Sequence, residues 1–160
     1  MKVTLENAAE ADAPMIFNMQ IESFTPLLEK YQGHDTNPAN ESVERVIQRI
    51  NNPKGRFSKI LADGVLAGAI NIVEKEEHCY WVSPLFILPE FQGKGLAQKA
   101  MILAEGQFPE ARSWNLSTIL EEKGNCYLYE KLGYRKTGLS QKLNGKTTLV
   151  YYEKPARRSK

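Results

Sequence analysis

The stretch Phe86-Ile87-Leu88-Pro89-Glu90-Phe91-Gln92-Gly93-Lys94-Gly95-Leu96-Ala97 passes from an apolar strand end, through two glycines, into a helix start. Gly93 and Gly95 let the main chain approach an anion closely. A helix beginning just after them aims unpaired N–H groups and the positive end of its dipole at the same place. The segment is a phosphate cradle in principle, although glycines also end strands for conformational reasons alone. Two familiar phosphate motifs do not fit it. A P-loop needs Gly-Lys followed by Ser or Thr, yet Gly93-Lys94 is followed by Gly95; a dinucleotide fingerprint needs a third small residue where Gln98 stands.

Upstream of the glycines, Tyr80 to Leu88 reads as a strand, and Pro84 within it lacks a ladder donor, so a bulge or a local parting of neighbours is expected there. Arg56 to Ala62 and Val65 to Glu74 read as two strands joined by Asp63-Gly64, a dipeptide suited to a tight hairpin. Val65 to Val73 is apolar almost throughout, as suits a strand covered on both faces. Val43, Val46, Ile47 and Ile50 mark a helix stopped by Asn51, Asn52 and Pro53. Before it, Thr25 to Asn40 loses periodicity and reads as a long connection through Pro26, Gly33, Asp35, Asn37 and Pro38. A first strand, Lys2 to Asn7, precedes a helix that Asp12 is placed to cap, with Pro14 in its first turn and Ala13, Ile16, Phe17, Gln20, Ile21 and Phe24 near one stripe.

Downstream, Leu96, Ala100, Leu103, Ala104 and Gln107 form a helix ending near Pro109, and Trp114 to Leu120 alternates as a strand. Asn125 is placed to cap a short helix closed by Gly133. Tyr134 to Leu143 and Lys146 to Glu153 flank Asn144-Gly145, a hairpin signal, and such a hairpin either completes its own sheet or pairs with a second subunit. The order is strand, two helices, three strands, helix, strand, short helix, two strands: a mixed α/β pattern with one sheet and helices on its faces.

A chain of 160 residues suits one domain, and 42% hydrophobic with 25% charged residues is ordinary for a soluble globular protein. No apolar stretch approaches membrane-spanning length, and MKVTLENAAEADAP lacks the apolar region of a secretory signal. Two cysteines, Cys79 and Cys126, make no disulfide framework, so a reduced, cytoplasmic protein is expected. A formal charge of +2 from 21 basic and 19 acidic side chains argues against nucleic-acid binding, and Arg157, Arg158 and Lys160 read as a solvated tail.

Gln92-Gly93-Lys94-Gly95-Leu96-Ala97 resembles the GNAT N-acetyltransferase pattern of Arg or Gln, two residues, Gly, one residue, then Gly or Ala, and Phe86 to Phe91 resembles that family's preceding strand end. A second match, in the right order, is Asn125-Cys126-Tyr127-Leu128-Tyr129-Glu130-Lys131-Leu132-Gly133-Tyr134, similar to the family's later Tyr-Glu-Lys-x-Gly-aromatic run. The resemblance implies a single α/β (α+β) domain over residues 1–154, with a central mixed, mostly antiparallel sheet of about seven strands and helices on both faces, followed by a basic tail over 155–160. It implies acetyl-CoA as cosubstrate and transfer to the primary amine of a small molecule or a protein.

By the same resemblance, the backbone of Gln92, Gly93, Lys94, Gly95, Leu96 and Ala97 holds the coenzyme A diphosphate, and Phe86 and Ile87 offer N–H groups to the acetyl carbonyl and pantetheine arm. Donors aimed at a developing oxyanion lower the barrier to amine attack. Tyr129 matches the tyrosine that serves the departing thiolate; a free phenol near pKa 10 facing a thiol near 8.5 makes complete proton transfer uphill by about 2 kcal/mol, so a hydrogen bond is the safer description. Phe24 and Tyr31, with His34, Asp35 and Asn37, are expected to border the acceptor.

Two departures stand out. Asn125 lies closer to Tyr129 than the family's asparagine does, so it either contacts the cofactor or only caps its helix. No carboxylate occurs from Tyr80 to Leu88, where some members keep a general base; Glu74, Glu77 and His78 lie just upstream and are candidates to act through water or on the substrate. Two rival readings stay open: a non-catalytic acyl-CoA sensor, which has no need of Tyr129, and a cysteine hydrolase using Cys126, for which the sequence holds only His34 and His78 as partners.

Overall fold

The structure, a computed structural model, describes residues 1–31 and 41–156. The expected residues His34, Asp35 and Asn37, the basic Arg157, Arg158 and Lys160, and the side chain of Tyr31 lie outside the described residues.

Seven strands form one sheet: β1 (Val3–Asn7), β2 (Gly55–Ala62), β3 (Val65–Glu76), β4 (Cys79–Ile87), β5 (Ser113–Ile119), β6 (Arg135–Lys142) and β7 (Thr148–Pro155), in the spatial order β1-β2-β3-β4-β5-β7-β6. All neighbours are antiparallel except β4 and β5. Among the described residues, four α-helices cover it: α1 (Ala13–Tyr31), α2 (Val43–Ile50), α3 (Leu96–Gly106) and α4 (Lys123–Lys131). On one face Ile16 and Met19 of α1 and Val46 of α2 pack on Phe57, Ala69 and Phe86. On the other, Leu96, Ala100, Met101 and Ala104 of α3 and Cys126 and Tyr129 of α4 join Ile70, Ile72, Trp114 and Tyr152 in the larger core. Gln20 of α1 donates to Glu41, which also takes a two-pronged bond from Arg49 at 2.7 and 2.8 Å and so ties α1 to α2. Among the described residues no helix is long and apolar enough to cross a membrane.

The Asp63-Gly64 hairpin is as expected: both residues have positive φ, at 50° and 81°, and Ala62 pairs directly with Val65. Four expectations are corrected. The long connection does not begin at Thr25, because α1 continues through Pro26 to Tyr31. Proline removes one donor from the helix, and burial of the helix face against the sheet outweighs that loss. Asp12 does not cap α1; its carboxylate accepts from the Ala9 N–H at 2.8 Å and closes the 3-10 turn Glu10–Asp12 that leads into α1. Asn125 does not cap α4, whose cap is Glu122; Asn125 sits in the first turn and its own N–H donates to the Glu122 carbonyl. The loop at Asn144-Gly145 is five residues long, since Lys142 pairs with Thr148, and Asn144 Oδ1 organises it by accepting from the Lys146 and Thr147 N–H groups and from Thr147 Oγ1.

The feature that positions the site is the departure of β4 from β5. Their parallel pairing covers only Cys79–Trp81 against Ser113–Asn115. Beyond it, β4 bulges: Ile70 and Ile72 of β3 face Leu85 and Val82, so two residues of β4, Ser83 and Pro84 with the cis bond between them, lie opposite the single Asn71 of β3. Inside the bend, buried Asn71 donates to the Ser83 carbonyl at 3.0 Å. Within the sheet the tip of β4 is then paired with β3 alone, and closely. A Cβ on Gly68 would lie 2.1 Å from the Phe86 carbonyl oxygen. Gly68→Ala is expected to cost about 1–3 kcal/mol of stability, read by denaturant unfolding, because the nearest neighbour is backbone that has no rotamer with which to yield.

Candidate functional site

The parted strands open a cleft of about 790 Å³ bordered by the tip of β4, the glycine turn, the C-terminal half of α1 and the start of α4. Its donors follow from register. The Leu88 N–H donates to the Ala67 carbonyl at 2.8 Å, and N–H direction alternates along an antiparallel strand. The Phe86 N–H therefore faces β3, while those of Leu85 and Ile87 face the opening. Leu85, Phe86 and Ile87 all line the cleft; of the two expected donors, the Ile87 N–H faces the opening and the Phe86 N–H faces β3, and the Leu85 N–H faces the opening as well. The Phe86 side chain is buried on the other face, edge-on to Phe24 at 5.8 Å.

The turn after β4 closes the cleft's second end. Gly95 caps α3 with φ of +77°, and Gly93 shares that value, a conformation that L side chains rarely adopt. A Cβ at either would meet nothing within 4 Å, so the space in front of the α3 N-terminus is open and its amides can be reached by a phosphate group. Gln92 Nε2 donates to the Ile87 carbonyl at 2.9 Å and binds the turn to the strand tip. Gln92, Gly93, Gly95, Leu96 and Ala97 line the cleft. Lys94 does not, its ammonium lying over the Phe91 ring at 5.7 Å.

Tyr129 stands where the cleft meets a smaller side chamber of about 340 Å³, and lines both. Its position is set by the end of α4. The Tyr134 N–H donates to the Tyr129 carbonyl at 3.0 Å, the Gly133 N–H donates to the Glu130 carbonyl at 3.1 Å, and Gly133 has φ of +98°. These are the two bonds and the left-handed residue of a Schellman motif, completed by the Tyr129–Tyr134 ring contact at 6.1 Å. Tyr129 is 9% exposed, and burial, with a smaller contribution from Cys126, pushes its phenol up to about 12.

The remaining expected residues divide. Phe24 lines both spaces, as does Asn125. Glu74 and His78 line neither. They close the β3–β4 turn, where Glu74 accepts the His78 N–H at 2.8 Å and His78 has φ of 62°. That turn lies at the start of β4, about 20 Å from Leu85 at the usual rise per residue. Cys126 is buried with its Sγ 3.8 Å from the Ile119 and Leu120 carbonyls at the far end of β5 from His78, so among the described residues it has no imidazole partner. Sequence reasoning missed Leu27, Lys30, Leu85 and Glu122. The first two carry a signal, since Phe24, Leu27 and Lys30 repeat at helical spacing. Lys30 pairs with Glu122 at 3.1 Å.

Residues 14–134 match the family described as acetyltransferase (GNAT). No curated protein sequence matches the chain. Solved structures resemble it at low identity. The PaiA N-acetyltransferase of Thermoplasma acidophilum, in complex with coenzyme A, has a TM-score of 0.75 at 18% identity, covering 98% of this chain and 100% of that one. The ribosomal-protein-S18-alanine N-acetyltransferase of Escherichia coli has a TM-score of 0.77 at 12% identity, covering 99% and 97%. The spermidine N-acetyltransferase of Vibrio cholerae, in complex with coenzyme A and spermine, has a TM-score of 0.74 at 20% identity, covering 94% of each chain. Such identities speak to the shared fold, while the family match spans β2 to β5, the glycine turn and Tyr129 alike: this chain belongs to the GNAT acetyltransferase family and is an acyltransferase.

Proposed function

We propose that the chain transfers the acetyl group of acetyl-CoA directly to a primary amine. The observation that carries this reading is the alignment of three features along one cleft: open amides at Gly93 and Gly95, free N–H groups at Leu85 and Ile87, and the Tyr129 side chain at the junction with a second chamber. The glycine turn and the α3 N-terminus hold the diphosphate. Leu85 and Ile87 donate to the arm and to the thioester carbonyl, whose oxygen gains charge during attack. The amine enters as the free base, its ammonium proton having gone to solvent; a C–N bond forms, the C–S bond breaks, the sulfur leaves as thiolate with a hydrogen bond from Tyr129, and the nitrogen gives up its second proton to solvent, from which the thiolate is reprotonated. A sensor that only binds the carrier has no use for a phenol at that junction, which favours transfer.

The phenol is a donor of hydrogen bonds more than of protons. With Tyr129 near 12 and a thiol near 8.5, complete transfer is uphill by about 5 kcal/mol. Tyr129→Phe is expected to lower kcat about ten- to hundredfold, the worth of a bond to a charged acceptor, with little change in acetyl-CoA affinity. Unchanged turnover would retire the role.

The raised phenol also fixes the pH response. A group that titrates near 12 keeps its proton throughout the usual assay range, so kcat should show no falling alkaline limb up to about pH 10, and Tyr129→Phe should lower the profile without changing its shape. A falling limb near pH 9 that vanishes in the variant would contradict this.

Gly95→Ala addresses the other end of the cleft. A left-handed L residue costs roughly 1–2 kcal/mol, and the new methyl projects into the space assigned to the diphosphate. Calorimetry should show acetyl-CoA binding weakened at least about tenfold, with kcat at saturation nearly retained.

A further inference from the structure

We infer that Asn71 is a positioning residue for the transfer step, its side-chain amide fixing the aim of the Leu85 N–H at the thioester carbonyl. The inference rests on the proposed acetyl transfer and names a residue of β3 that lines neither the cleft nor the side chamber. Of the two outward amides, that of Leu85 is the one at the reacting centre. Leu85 lines both spaces, as Tyr129 does, whereas Ile87 lines the cleft alone and is tied to the glycine turn through Gln92.

Asn71 is 1% exposed and stands between Ile70 and Ile72, both buried in the larger core. The β3–β4 register steps from Ile70 opposite Leu85 to Ile72 opposite Val82, and so skips Asn71. Its side chain makes the connection that the ladder leaves out: Nδ2 donates to the Ser83 carbonyl at 3.0 Å. That carbonyl belongs to the peptide group joining Ser83 to Pro84, and a peptide group is planar. A bond to its oxygen therefore sets the orientation of the whole plane.

The next peptide group along the chain carries the Leu85 N–H. Only φ and ψ of Pro84 separate the two planes, and the pyrrolidine ring fixes φ. One rotation is left, and the pairing of Leu85 with Ile70 limits it. The direction of the Leu85 amide thus follows from where Asn71 holds the Ser83 oxygen. Ser83 is exposed, so a carbonyl released by Asn71 can turn to water, and the aim is lost without an acceptor being left unsatisfied. A donor that works on charge developing in the transition state is sensitive to such misalignment.

The test uses Asn71→Ala and Asn71→Val, which both remove the donor while changing the volume in opposite directions. Infrared difference spectra of bound acetyl-CoA carrying a carbon-13 thioester carbonyl should show a stretch lowered from its solution frequency in the wild type, and at least about half of that lowering lost in both variants. Thiol release is followed with phenethylamine, spermidine or an alanine-initiated peptide, whichever the wild type turns over fastest. Its kcat should fall at least about tenfold in both variants, while the Kd of coenzyme A, which has no acetyl carbonyl, stays within about threefold. A wild-type stretch at the solution frequency, variants that match the wild type, or opposite effects of Ala and Val would each overturn the inference. So would failure of both variants to fold, since Asn71 would then serve the fold and not the aim. Failure of the wild type to bind acetyl-CoA would instead overturn the acetyl-transfer reading.

Discussion

The structure depends on two neighbouring strands that stay together for only three residue pairs. A continuous β4–β5 ladder would consume the outward amides of Leu85 and Ile87, and the sheet would be a closed wall with helices on both sides. The bulge at Ser83-Pro84 turns β4 away, and Asn71 bonds to the Ser83 carbonyl to hold the bend. Unpaired backbone donors are costly in a protein interior, so they persist only where something else can use them. Here they line a cleft, and the rest of the sheet, three antiparallel pairings on one side of this break and two on the other, supplies the rigidity that keeps the donors aimed.

The same logic governs the helices that flank the opening. α3 begins at Gly95 in a conformation that leaves its first amides facing the cleft, and α4 ends in a Schellman turn that fixes Tyr129 through its own carbonyl. One helix contributes its start and the other its end. Burial does the remainder: the Tyr129 ring packs edge-on to Tyr134 and tilted against Tyr152, so the phenol has little room to swing. A side chain packed against two rings and buried around them is pointed by that packing.

The sequence made the glycine turn, the Tyr129-to-Gly133 helix end and the Asp63-Gly64 hairpin legible, because each is a short-range device in which residue type and backbone conformation are directly linked. Pro84 correctly announced that β4 would not run straight. Which amides the bend would free was not legible, since that depends on strand register: Phe86 and Leu85 are adjacent in sequence and face opposite ways. Pro26 misled for a related reason. A proline is read locally as a break, while the helix around it is held by contacts with β4 and α2 that no local rule contains. Glu74 and His78 were attractive because they lie close in sequence to the site strand, yet a strand carries its two ends about 20 Å apart, and they occupy the wrong one. Asn125 shows the limit from another side, since it is a good cap by residue type, yet the helix starts earlier, after Glu122, whose side chain makes no cap bond.

The bond from Gln92 to the Ile87 carbonyl links the glycine turn to the strand tip through a single side chain. The two grips on a bound molecule are thereby set at a fixed separation, as the jaws of a caliper are locked by one screw. Whatever is held by its anionic end at the turn presents to Leu85 and Ile87 only the group that lies one set length away. On the binding mode proposed above, the fold would measure its ligand as well as bind it, and a carrier with the right chemistry but an arm of the wrong length would fail at one jaw or the other.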